Sequence, residues 1–113
     1  MTSKRLRKHA RKLIGLHKSA KPKRKNLLKK HLSDEDFVKC ICECCRNVLD
    51  GNIKLSKKQS YTLRKQKNAL RKIVDKKTSM QKRKNIIQRG GFLGALLGPV
   101  VSILGGLLGN VAR

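Results

Sequence analysis

The spacing of apolar and polar positions changes character three times along the chain. Over residues 4–18, Leu6, Ala10, Leu13, Ile14 and His17 recur at helical spacing, with bases on the other faces. Gly15 weakens that helix and Pro22 prevents its continuation. This predicts a basic arm over 1–32 that is disordered alone and helical along an anionic surface. From residue 33 the pattern sharpens. Ser33-Asp34-Glu35-Asp36 reads as a capping box, with the Ser33 hydroxyl accepting an orphan amide and acids in the electropositive first turn. Phe37, Ile41, Cys44, Cys45 and Val48 then form one apolar stripe, which Val38, Cys42 and Leu49 widen.

Asp50-Gly51-Asn52 stops this helix with glycine at the left-handed position. Ser56, with Gln59 as its reciprocal cap, starts a second helix whose sparser apolar face holds Tyr61, Leu63, Leu70, Ile73 and Val74. Thr78-Ser79 caps a short third one carrying Met80, Ile86 and Ile87. No segment alternates with strand periodicity. The expected fold is mainly α: a basic arm (1–32), a small two- or three-helix module (33–89) and an apolar, glycine-rich C-terminal helix or helical hairpin (90–113). About 55 residues of module give a marginal core, which polyanion binding or self-association would complete.

The last segment is a different material. From Gly90 to Ala112 run 23 residues with no ionisable side chain. Gly90, Gly94, Gly98, Ser102 and Gly106 fall at four-residue steps, a smooth face that another backbone could approach closely. The other faces carry leucines, and a helix of this length reaches about 34 Å, enough for a bilayer core. Seven glycines and Pro99 argue against a plain span. A membrane span, membrane or self-association through 90–112, and a tail processed away all stay open.

Charge decides the partner. The formal net charge is +24, from 30 Lys and Arg against 6 acids. It sits in two blocks, 13 bases in 1–32 and 13 in 57–89, around a near-neutral centre. Such a chain repels itself, and a polyanion relieves that repulsion. Aromatics are limited to Phe37, Tyr61 and Phe92, too few for base-stacking platforms. Phosphates of double-stranded DNA, read with little sequence preference, are therefore the expected contact. The expected contact residues are Lys4, Arg5, Arg7, Lys8, Arg11, Lys12, Lys21, Lys23, Arg24 and Lys25 in the first block. In the second they are Lys57, Lys58, Arg64, Lys65, Lys67, Arg71, Lys72, Lys76, Lys77, Lys82, Arg83 and Lys84. Lys21-Pro22-Lys23-Arg24-Lys25 also reads as a nuclear-import run.

Little points to chemistry. Cys40, Cys42, Cys44 and Cys45 lie within six residues, but on a helix Cys42 points away from Cys40 and Cys44. They read best as small, polarizable core residues, with intersubunit disulfides or metal as the other uses. His9, His17 and His31 stand among like charges with no carboxylate placed to orient them. No catalytic group, metal or cofactor is expected.

Arg89-Gly90-Gly91-Phe92-Leu93, a basic segment leading through Gly-Gly into an apolar tail broken by glycine and proline, resembles the precursor of the adenovirus core protein X, or mu. It is also similar to X-like proteins of Polinton and adintovirus elements. For those the likeness takes in the acid-capped cysteine helix, Asp50-Gly51-Asn52 and the Lys-rich helix that follows. The resemblance implies a late virion protein that condenses DNA in the host nucleus and is cut by a viral protease. The implied bond is Gly91–Phe92, although Gln88 stands where that protease takes an apolar residue. Ile103-Leu104-Gly105-Gly106 matches the apolar pattern formally. The other reading is a small single-pass membrane-anchored or membrane-active protein with a polybasic juxtamembrane region.

Overall fold

In the computed structural model, which describes residues 4–89 and 92–107, the chain forms eight helices and no strand among the described residues. They are α1 (Lys4–Lys8), α2 (Ala10–Lys18), α3 (Lys21–His31), α4 (Glu35–Leu49), α5 (Lys57–Lys65), α6 (Lys67–Val74), α7 (Met80–Arg89) and α8 (Phe92–Leu107).

The stripe that starts at Phe37 makes α4 the central helix. Its cap is Asp34 and not Ser33: extended backbone at Asp34 lets the carboxylate accept the Asp36 amide at 3.0 Å. Ser33 belongs to the end of α3 instead, donating its hydroxyl to the Lys30 carbonyl at 2.8 Å. At the other end Gly51 takes φ +76°. There the Asn52 amide reaches the Asn47 carbonyl and the Gly51 amide reaches Val48, a Schellman closure. Helix α4 packs on α6, α1, α7 and α8, so it is covered on nearly every side. This is why all four cysteines are buried even though they point in different directions.

The N-terminal stretch is not a free arm. Residues 4–31 form α1, α2 and α3, and Leu6, Ala10, Leu13, Ile14 and Leu16 are buried. Helix α1 lies on α4, and α2 lies along α8. The sequence pattern anticipated an anionic surface because nothing nearby offered these side chains an apolar partner. Helix α8, some eighty residues later, supplies one. His17, expected on the apolar face, is exposed, and Leu16 takes the inward place. Helix α2 stops at Lys18, ahead of Pro22, and a separate helix follows. Pro22 sits at the start of α3, where its missing N–H costs nothing.

Helix α8 buries Leu93, Leu96, Leu97, Val100 and Leu104 against α2 and α5. The described residues of the C-terminal segment make one helix, with Pro99 inside it. No helix among the described residues is long and apolar enough to cross a membrane. The small-residue ladder faces outward, with Gly94 and Ser102 exposed. A methyl group at Gly94 would meet Arg24 Nη1 at 3.6 Å, and one at Gly98 would meet Gln59 Nε2 at 3.5 Å. Long polar side chains from α3 and α5, not a second helix, lie against that face. The radius of gyration, 13.0 Å, is close to the ~13 Å expected for one domain of this length. The core thus draws on described residues from Leu6 to Leu104.

Candidate nucleic-acid interface

Helices α1 to α7 each leave basic side chains exposed to solvent. Sixteen of the twenty-two expected contact residues are exposed. Lys4, Arg7, Lys8 and Arg11 project from α1 and α2, and Lys23 and Lys25 from α3. Lys57, Lys58, Arg64 and Lys65 stand on α5, and Lys67, Arg71 and Lys72 on α6. Lys76 and Lys77 occupy the following turn, and Lys82 is exposed on α7 while Lys84 is half-buried. The side chain of Lys21 lies outside the described residues, as do Gly91 and the side chain of Phe92 at the expected cleavage bond.

Crowding of like charge is sharpest where α6 meets α7. The Lys72 ammonium is pressed below its ordinary range by its hydrogen-bonding contact with Lys82, and then by that group's charge. A phosphate between two such ammonium groups relieves the repulsion. On α5 the Lys65 ammonium sits 4.5 Å from the centroid of Tyr61, the one large hydrophobic residue found exposed among those described.

Four of the expected contacts do internal work instead. Arg5 donates to Asp36 at 3.0 Å and to Glu43 at 2.7 Å, tying α1 to α4. Lys12 stands 3.5 Å from Asp34. Arg24 donates through Nε to the Leu16 carbonyl and through a terminal nitrogen to that of His17, closing the end of α2. Arg83 does the same for α6, donating to the Asp75 carbonyl at 2.9 Å. Lys8 is exposed but lies 3.7 Å from Asp36.

The acids of the near-neutral centre thus have a structural role, and one of them corrects the reading of the histidines. His9 is buried, and its Nε2 meets Asp36 Oδ2 at 2.8 Å. That hydrogen bond, followed by the one from Arg5, holds the Asp36 carboxyl down at about 2. The His9 ring stands edge-on to Phe37, centroids 5.5 Å apart, and His31 packs on the same ring at 5.4 Å. Burial, then the charge of Lys12, lowers the proton affinity of His31. Twenty-seven residues separate His9 from Asp36, so no local pattern could pair them. Sequence reasoning also missed Lys39 and Arg46, exposed cations on α4, because they lie in the segment with the least net charge.

The cysteine cluster is unbonded and buried. The Cys42 thiol donates to the Ile73 carbonyl at 3.5 Å, and contact with Cys44 together with burial pushes the Cys40 thiol far up. Thiols in that state are poor nucleophiles. Comparison of the chain with family models, curated proteins and solved structures finds no match.

Proposed function

We propose that the chain is a non-enzymatic, DNA-condensing core protein of adenovirus-like type that binds duplex phosphates with little sequence preference in the virion and the host nucleus. The observation that carries this reading is the one-sided disposal of charge. Sixteen expected contacts stay exposed across α1 to α7, while Asp34, Asp36 and Glu43 are consumed in pairs with Arg5, Lys8, Lys12 and His9. Lysines predominate in that exposed set, and lysine neutralises phosphate as a point charge without the fork that reads guanine. The resemblance at Arg89-Gly90-Gly91-Phe92-Leu93 supports the same class. Burial of the α8 leucines against α2 and α5 supports keeping residues 92–107 in the folded unit, since insertion into a bilayer would first strip them from that core.

The test is binding of two duplexes of unrelated sequence, followed by light scattering at rising protein-to-DNA ratio. Affinities equal within about threefold, and compaction near charge neutrality, are expected. A preference of about a thousandfold for one sequence, the range of specific binders, would contradict the reading.

A further inference from the structure

Arg5, Lys39, Arg46 and Arg83 come together with Glu43 around a cavity of about 230 Å³ between α1, α4 and α7. Lys39, Glu43 and Arg46 share one face of α4, at steps of four and three residues. Cys42 and Val74 complete the lining. Two of the four cations belong to the expected DNA surface, but Lys39 and Arg46 do not, and the site is recessed where the others are open.

Its charge is unbalanced. Arg5 is shared between Asp36 and Glu43, whereas Lys39, Arg46 and Arg83 form no ion pair among the described residues. The lining carries four cations and one carboxylate, a formal surplus of three. Arg83 uses one terminal nitrogen on the Asp75 carbonyl, and its Nε is buried with no hydrogen-bond partner. A buried guanidinium N–H without an acceptor is a rare and costly arrangement. Burial raises the Cys42 thiol, and the charges of Arg83 and Arg46 beside it oppose that rise.

Size and charge together select the ligand. The volume is below the roughly 300–1,000 Å³ of sites that enclose drug-sized molecules, and at about 30 Å³ per water it holds a tetrahedral oxyanion with a few waters. A phosphomonoester or inorganic phosphate carries about −1.5 to −2 at neutral pH, which offsets more of that surplus than a single negative charge does. A backbone phosphodiester carries only one charge. Guanidinium groups suit phosphate oxygens by their planar, multiple N–H geometry.

We infer that the cavity lined by Lys39, Arg46 and Arg83 is a phosphate-dianion site, taking inorganic phosphate or a terminal phosphomonoester such as the 5′ end of a DNA strand. The inference stands apart from duplex binding and survives if that reading fails.

The test needs a probe inside the cavity, because phosphate also collects weakly on any surface this basic. The Arg83 Nε–H resonance, assigned through its loss in Arg83→Lys, is such a probe. Inorganic phosphate titrated into the full chain at constant ionic strength is expected to shift it saturably, with one site and a Kd on the order of 1 mM or tighter. Arg46→Met, at an exposed side chain, is expected to weaken that binding about tenfold while leaving thermal unfolding unchanged. Lys65→Met, on the exposed face of α5, is expected to leave it intact. A 5′-phosphorylated duplex is then compared with its 5′-hydroxyl twin. A stronger shift with the phosphorylated duplex assigns strand ends as a source, and equal, weak shifts with both leave free phosphate as the ligand. An Arg83 resonance that does not saturate overturns the inference. So does unchanged affinity in Arg46→Met, or a 5′-hydroxyl duplex that saturates the site as tightly as phosphate.

Discussion

Asp36 caps no helix, yet more of the fold passes through it than through any other acid. It joins His9, Arg5 and Lys8 on the N-terminal helices to α4, beside the buried ring of Phe37. Its carboxyl is depressed in the fold from 3.8 to about 2, so its contribution is complete above the ordinary value and is lost as pH falls through that window. His31 acts in the same direction at higher pH. Its proton affinity is lowered from the ordinary 6.5, so the unfolded chain takes up the proton first and stability declines as pH drops below that value. Urea unfolding followed from pH 7.5 down to pH 2 should therefore show two separate declines. Asp36→Asn should shrink the acidic one, leaving the share of Asp34, whose carboxyl is also lowered, and should keep the other; His31→Gln should remove the decline at higher pH and keep the acidic one. Phe37 itself is fully buried, and Phe37→Ala should cost about 3–5 kcal/mol in the same assay.

Among the elements, α8 changes most between sequence and structure. In the sequence it is a greasy tail, in the structure a core helix. Leu96 is 1% exposed, so Leu96→Ala should destabilise the fold by about 2–5 kcal/mol, whereas a tail leucine outside the fold would register almost nothing. The outward ladder makes the opposite prediction. A methyl at Gly94 meets only Arg24 Nη1, the end of a flexible side chain, at an ordinary 3.6 Å, so Gly94→Ala should stabilise by up to about 1 kcal/mol through helix propensity. Loss of stability there would mean that another backbone packs on that face. Local signals were legible in the chain because their partners lie within a few residues. The Ser56–Gln59 capping box is present in both directions, Ser79 caps α7, and Gly51 closes α4 as its spacing indicates. Pairing of α2 with α8 was not legible, since an apolar stripe specifies that it needs a cover but not which one. For the same reason the basic arm and the apolar tail read as separate pieces when they are each other's partners. His9 and Asp36 were missed on the same ground of distance, although both identities were in plain view.

For the whole molecule, the governing fact is that a +24 chain packs its helices around α4 and leaves most of its described cations exposed. Folding fixes a shell of lysine and arginine whose self-repulsion a polyanion relieves. Removing one exposed cation, as in Lys58→Ala, should weaken duplex binding equally for all sequences and reduce the salt slope by about 1. The most direct test of the central claim is the affinity of the full chain for a random-sequence duplex, measured across a series of NaCl concentrations. Each neutralised phosphate contributes about −0.9 to the slope of log K against log salt. Contacts spread over several helices predict a slope of about −5 or steeper. A tight complex with a slope no steeper than about −1 would contradict phosphate neutralisation as the basis of binding.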